Sequence, residues 1–255
     1  MPTFEDARTP AGLRIYAIGD IHGCLDELLA VHERIRADLR DRPCVDWRII
    51  HLGDYVDRGP DIKGVVSELI RLVQDRKTYA LLGNHDQWFI EFLVDPATDG
   101  FNAWTTYGGA ETIKAYGGSL TSEVTDDLMG RQALRETLLN SVPEAHLRFL
   151  STLPHSLRFG SYLFVHAGVR PGVPLDRQST HDLIWIREPF LSSTRDLGAV
   201  VVHGHTVVLN VVAKANRIGI DTGAVHGGTL SCLVLQEDEK MLLGADGPER
   251  LDLTE

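Results

Sequence analysis

Five times along this chain a short apolar run, rich in β-branched residues, ends at a small cluster of glycine, aspartate, histidine or asparagine. The run from Leu13 to Gly19 stops at Asp20, Arg48 to Gly53 at Asp54, and Thr78 to Gly83 at Asn84. Ser161 to Val165 stops at His166, and Val200 to Gly204 at His205. Each run has the length and composition of a buried strand. Helical periodicity follows the first two. Leu25, Leu28, Leu29, Val31, Ile35 and Leu39 make one apolar face. Ile62, Val65, Val66, Leu69, Ile70 and Val73 make another, with Pro60 near its start. Strand–helix alternation predicts parallel strands, and in such sheets ligands sit at the carboxyl ends. All five polar clusters should therefore gather along one edge.

The second half reads differently. Val207 to Ala213, Arg217 to Ile220 and Thr229 to Leu235 are expected as successive strands of a second, mixed or antiparallel sheet packed on the first. The stretch 101–155, with paired glycines and weakly amphipathic helices, reads as an insertion over the site edge. The acidic tail from Gly244 is expected to fray. The predicted fold class is α/β, a four-layer sandwich of two mixed sheets flanked by helices.

Lysine plus arginine number 25 and aspartate plus glutamate 36, so the net charge is 25 − 36 = −11 over 255 residues. Such a surface repels nucleic acid and anionic membrane, so neither is expected as a partner. Any positive charge for an anionic ligand must then be local. Cys24, Cys44 and Cys232 are far apart and form no C-x-x-C pair, which argues for single thiols rather than a disulfide framework or zinc ribbon. The first residues hold no apolar signal core, and no segment reaches the ~20 apolar residues of a membrane span. A cytoplasmic protein is expected.

The clusters are Gly19-Asp-Ile-His-Gly23, Gly53-Asp-Tyr-Val-Asp-Arg-Gly59, Gly83-Asn-His-Asp86, His166-Ala-Gly168 and Gly204-His205. Carboxylate, imidazole and amide oxygen together suit Mn, Fe or Zn, and exclude a thiolate site or an all-oxygen calcium site. Each cluster alone is more simply a loop or a hydrogen-bonded core histidine; five in this order, each ending a strand, are not. Together they resemble the metallophosphoesterases, and the DRG of the second cluster resembles the phosphoprotein phosphatase family of serine/threonine protein phosphatases in its compact bacterial and phage form. The resemblance spans about Ile15 to Ala224. It implies a single metallophosphoesterase (calcineurin-like) catalytic domain over 1–255, monomeric, with the helical insertion at 101–155. Asp20 and His22 would hold one divalent ion, Asn84, His166 and His205 a second, and Asp54 would bridge them. His85 would be the general acid, oriented by Asp57. Arg58 and Arg187 would bind substrate phosphate. Asp86 departs from the eukaryotic pattern, which has glutamate there.

The chemistry supports the same roles. A phosphoester dianion repels hydroxide, so hydrolysis needs neutralising charge. Two cations about 3.5–4 Å apart can share a water and lower its pKa from about 15.7 toward 7. Guanidiniums match phosphate oxygens bidentately, and a carboxylate-held histidine can protonate a leaving alkoxide. The implied activity is that of a protein serine/threonine phosphatase acting on phosphorylated protein or small phosphoesters. The alternatives are a diadenosine-tetraphosphate-type hydrolase, whose members need not keep an aspartate where this chain has Asp57, and an inactive phospho-binding scaffold, disfavoured because every ligand position is filled. His51 reads as a core histidine, and His203 as either structural or a support to the ligands. His226 is read as part of a solvated turn and Cys24 as a small core residue. Trp88, Trp104 and Trp185 read as packing residues, with Trp104 and Tyr107 also candidates for the substrate mouth. If this assignment holds, chelation should abolish phosphoester turnover and Mn²⁺ should restore it; full turnover by metal-free protein would refute it.

Overall fold

In the computed structural model, which describes residues 2–122, 124 and 127–254, the alternation along β1 (Leu13–Ile18) generates the layers. Ile15 and Ala17 point into a core between two sheets, while Tyr16 and Ile18 point into a core under helices. Successive side chains of a strand face opposite ways, so a run apolar at every position needs cover on both sides. β1, β2 (Asp46–His51) and β3 (Thr78–Ala80) pair in parallel. They alternate with α1 (Leu25–Asp41), α2 (Ile62–Leu72) and α3 (Asn84–Val94). In α2 the buried Ile62, Val65, Val66 and Leu69 repeat at helical spacing, and Asp61 caps the start by accepting the Gly64 N–H. Burying four such side chains contributes on the order of 6–12 kcal/mol gross. A cap contributes about 1 kcal/mol. Packing, then, holds this helix, and the cap sets where it begins.

The stretch after α3 is helical. It contains α4 (Phe101–Trp104), a π-helical turn over Thr105–Gly109, α5 (Ala110–Ala115), α6 (Leu128–Ser141) and α7 (Glu144–Ser151). Residues 123, 125 and 126 of this stretch lie outside the described residues. The second sheet follows with β4 (Ser156–Phe159), β5 (Tyr162–Val165), β6 (Val200–His203), β7 (Val212–Lys214) and β8 (Arg217–Gly219), with α8 (Thr180–Trp185) between β5 and β6. The chain ends with β9 (Cys232–Gln236), β10 (Glu239–Gly244) and β11 (Gly247–Arg250). The sheets run β11-β10-β9-β1-β2-β3 and β4-β5-β6-β8-β7, both mixed. Tyr162, Phe164, Val200 and Val202 meet the first sheet, while Leu163, Val165 and Val201 face the layer that includes α8. This is the expected sandwich.

Three expectations need correction. β9 joins the first sheet, antiparallel to β1 with Tyr16 opposite Val234, and not the second. Cys232 to Leu235 are buried throughout, and a run apolar on both faces finds two-sided cover in the interior of the first sheet. Of Val207–Ala213 only the end is strand; Val207 and Leu209 stand exposed, and Val208 N–H bonds the Asp221 carbonyl instead of a strand partner. The acidic tail does not fray at Gly247, because β11 pairs with β10, Leu243 opposite Pro248. A charged, proline-containing strand is a natural sheet edge.

The α1 face also differs from its apolar reading: Leu29 is exposed, whereas His32 and Asp38 are buried. Asp38 accepts bonds from the Tyr16 hydroxyl at 2.6 Å and from Arg14 at 3.1 Å. His32 lies against His51, as the core reading of His51 requires, with Nε2 to Nε2 at 3.0 Å. His51 Nδ1 faces the Tyr79 carbonyl at 3.0 Å and must donate to it, so its Nε2 accepts the His32 N–H. Burial lowers His51 to about 4, and burial together with His51 lowers His32 to about 2, both from 6.5. Both rings are thus neutral when folded, while the unfolded chain takes up protons below about pH 6.5. Stability contributed here is complete above pH 6.5 and is lost as pH falls toward 4, by roughly 2 kcal/mol per ring at pH 5. Denaturant titrations at pH 7.5 and pH 5 should show a smaller loss in the double variant His32→Leu/His51→Leu than in the parent; equal losses would refute the assignment.

Candidate active site

The five strand-end clusters converge where the carboxyl ends of β1, β2, β3, β5 and β6 meet, and Asp54 lies at their centre. Its carbonyl accepts the N–H groups of Ile21 at 3.2 Å and His22 at 2.8 Å. Its own N–H is taken by Asp86 Oδ2 at 2.9 Å. Its carboxylate accepts the His85 N–H at 3.0 Å, at the start of α3. His22 Nε2 lies 3.3 Å and His166 Nε2 3.5 Å from the same carboxylate. Asp20 accepts the His205 N–H at 3.0 Å. That approach requires Gly204, since a Cβ there would lie 2.0 Å from Asp20 Oδ1.

The backbone is strained here. His22, Asp54, Asp57, Arg58 and His205 all have φ between 44° and 71°. Non-glycine residues seldom adopt that region unless their surroundings hold them there.

Electrostatics sort the donors. Burial first, then the neighbouring Asp221 and Asp54 carboxylates, push Asp20 well above the ordinary carboxylate range. Burial alone would raise Asp54, but His166, His85 and His22 hold it well below. Burial lowers His166, and burial followed by His166 and Arg187 lowers His205 to about 2. His22 and His166 face the carbonyls of Val56 at 2.8 Å and Leu52 at 3.0 Å through Nδ1. Each must donate there. Burial opposes charge on His22, but its contact with Asp54 outweighs that and raises it, whereas His166, lowered by burial, turns an Nε2 lone pair toward Asp54. Asn84 Oδ1 lies 2.9 Å from His166 Nε2 and 2.7 Å from His205 Nδ1. Turning that amide over would supply N–H donors to both nitrogens. A carboxylate has no such alternative, so the contact between Asp54 and the His166 lone pair is relieved by a proton or a cation between them.

Beside this cluster, His85 Nδ1 bonds Asp57 Oδ2 at 2.6 Å. Arg58 places Nη1 2.7 Å from His22 Nε2, Nη2 2.8 Å from His85 Nε2, and Nε 3.1 Å from the Tyr107 carbonyl. Asp54, Arg58, Asn84, His85, Trp88, Tyr107, Trp185, Arg187 and His205 line one cleft of about 440 Å³. Asp20, His22, Asp57 and His166 are buried beneath it. All ten sequence candidates are therefore together in or under one cleft.

Some readings change. Trp88 and Trp185 line the cleft as well as packing, their rings edge to face at 4.6 Å. Tyr107 is at the mouth, but Trp104 is fully buried and is not. His203 faces the Gly204 carbonyl, beside His205, and packs edge to face with Phe190. His226 is exposed in its turn, and Cys24 is buried in the core. Two residues were missed. Asp86 accepts backbone N–H groups from Asp54, Tyr55, Val56 and Gly83, so it moulds the second cluster. Burial and Asp54 raise it to about 7, and these N–H bonds oppose the rise. Asp221 presses its charge on Asp20. It follows Arg217-Ile-Gly-Ile220, a sixth apolar run ending in a polar residue, and that was the available signal.

A calcineurin-like phosphoesterase family model matches residues 13–222. The chain belongs to that family. Among relatives, it is 27% identical over 249 residues to bis(5'-nucleosyl)-tetraphosphatase PrpE [asymmetrical] of Anoxybacillus flavithermus, covering 91% of this chain and 94% of that one. It is 28% identical over 231 residues to serine/threonine-protein phosphatase 1 of Salmonella typhimurium, covering 87% and 92%. Its fold is shared with the cold-active protein-tyrosine phosphatase of a psychrophilic Shewanella, at TM-score 0.59 and 16% identity, covering 98% of this chain and 84% of that one.

The residues of this calcineurin-like phosphoesterase fit divalent metal. His22, Asp54 and His85 form one group of ligand atoms within 4.8 Å of one another, and Asp20, Asp54 and His166 form another. Asp54 is common to both. The His166 lone pair beside Asp54, and a buried set of carboxylates, imidazoles and an amide around it, suit cations. Asp54→Asn should therefore lose metal from both groups together, with activity. Elemental analysis of the purified variant would check this; retention of one ion at the parent's affinity would place the shared ligand elsewhere.

Proposed function

We propose that this calcineurin-like phosphoesterase hydrolyses phosphomonoesters of alcohols, as a serine/threonine protein phosphatase does, with two divalent ions, most suitably Mn²⁺. Asp20 and His22 would hold one ion, Asn84, His166 and His205 the other, and Asp54 both. When bound, the ions supply positive charge against the phosphate and acidify water at the site. Arg58 and Arg187, at one cleft, bind the phosphate oxygens. His85 delivers a proton to the leaving oxygen as the phosphorus–oxygen bond breaks. Asp57 holds Nδ1–H, which keeps Nε2 toward the cleft and stabilises the charged ring. His85 stands in one candidate metal group; its Nδ1 is held by Asp57, and its Nε2 faces an Arg58 N–H that must swing toward the phosphate before Nε2 carries the proton. The enzyme is read as a cytoplasmic monomer, in keeping with its free thiols.

The observation that carries the reading is the His85–Asp57 pair. A serine alkoxide is a poor leaving group and needs a proton, whereas a polyphosphate leaves as a far weaker base. A carboxylate-oriented histidine is the equipment for the first case. The Salmonella relative agrees in kind. A second reading, a nucleoside-polyphosphate hydrolase, is favoured by the aromatic mouth. The Trp88 and Tyr107 planes lie within 4° of parallel with centroids 6.3 Å apart, and Trp185 adjoins them. Aromatic faces accept bases by stacking, and the Anoxybacillus relative carries a tetraphosphatase name.

Phosphoserine peptide, p-nitrophenyl phosphate and diadenosine tetraphosphate, assayed side by side with Mn²⁺, separate the readings; turnover of the dinucleotide alone would overturn the first. His85→Asn should keep its metal and lose roughly 10²–10⁴-fold in kcat on phosphoserine peptide. It should lose much less on p-nitrophenyl phosphate, whose leaving group departs unaided. Arg58→Ala should weaken both esters alike. Metal loss in His85→Asn, or equal slowing of both esters, would remove His85 as the acid.

A further inference from the structure

Asp57 is completely buried, and its carboxylate touches more than His85. Trp104 Nε1–H reaches both oxygens, at 3.1 Å and 2.9 Å, and the Thr112 hydroxyl donates to Oδ1. The Thr112 oxygen also accepts the Asp57 N–H at 2.8 Å. A carboxylate only accepts, so the Thr112 proton must point at it. The next residue is held from the same segment, since Arg58 N–H bonds the Gly108 carbonyl at 3.1 Å. Gly108 has φ 122°, and a Cβ there would lie 2.4 Å from Arg58 Cγ. Asp57 and Arg58 are consecutive residues with φ of 71° and 65°. The segment from α4 to α5 thus receives both backbone N–H groups of a strained pair and grips one side chain of each.

Packing does not explain these choices. Trp104 sits among Phe89, Phe92 and Phe101, where a phenylalanine would fill most of the same space. What the indole adds is an N–H, aimed at Asp57. A helical threonine commonly bonds the carbonyl four residues back. Here that carbonyl, Gly108, serves Arg58, and the hydroxyl serves Asp57.

We propose that Trp104 and Thr112 are positioning residues of the acid pair. They fix the plane of the Asp57 carboxylate, and so the direction in which His85 presents Nε2 to the leaving oxygen. The segment is then part of the catalytic frame and not a cover laid over a finished site. This rests on His85 being the acid, and the test separates the two ideas.

Mn²⁺-loaded full chain would be assayed for kcat on phosphoserine peptide and on p-nitrophenyl phosphate. Thr112→Val, which keeps shape and removes the hydroxyl, should lose on the order of tenfold on the peptide, a fraction of the general-acid contribution, and clearly less on the aryl ester. Trp104→Phe should behave likewise. Thr112→Ser should recover the peptide rate. Phe89→Leu, which disturbs packing beside Trp104 without touching Asp57, should slow both esters in equal proportion if it slows either. Thr112→Ala provides the same hydroxyl loss should the valine variant not fold. If His85→Asn shows the leaving-group dependence while the Thr112 and Trp104 variants slow both esters equally, the positioning role is overturned and the acid stands. If His85→Asn itself shows none, both fall.

Discussion

Everything at the cleft depends on how Asp54 is held. One residue joins the first cluster through its carbonyl, the third through its N–H and carboxylate, and the fourth through His166. It is buried, and burial would neutralise an isolated carboxyl. The surrounding imidazoles reverse that and keep it ionised. A negative charge is thereby maintained in the interior, among imidazoles and an amide that can also ligate a cation. Such an arrangement is stable when positive charge is brought to it, and the affinity for cations follows from the folding geometry.

The cost appears in the backbone. Five non-glycine residues in left-handed conformations around one site represent strain of order 1–3 kcal/mol each. They persist because elements on several sides fasten them: Asp86 from α3, the Gly108 carbonyl and Thr112 from the helical stretch, and the carbonyl-anchored histidines. The two-sided cores of the sandwich provide the rigidity against which that strain is stored. Conversely, the aromatic mouth of Trp88, Tyr107 and Trp185 rests on α3, the turn after α4 and the end of α8. The polar groups of the cleft thus come mainly from strand ends, and its aromatic rim from helices and turns.

Much of this was legible before folding. Apolar runs ending in Asp20, Asp54, Asn84, His166 and His205 were enough to foresee strands and the gathering of these residues at their carboxyl ends, because strand burial and strand-end position are local properties of composition. The same logic would have added Asp221. The reading went wrong where local pattern is ambiguous. Val207 and Leu209 look like strand residues but stand in solvent, since β-branched composition does not specify a pairing partner. Thr229–Leu235 was recognised as strand but placed in the wrong sheet, because sheet membership is decided by which edge offers two-sided cover.

The sequence by itself therefore determined the polar groups at the strand ends, their order and their suitability for divalent metal. Tertiary structure alone decided which neighbours tune them. That Trp104 turns its N–H to a carboxylate 47 positions away, that Thr112 spends its hydroxyl on Asp57, and that Arg58 is pinned by a turn at Tyr107 and Gly108 are non-local facts. No periodicity encodes them. They follow from helices packed beside a strained loop, where a buried carboxylate must find every donor it needs among the groups the fold has brought within reach.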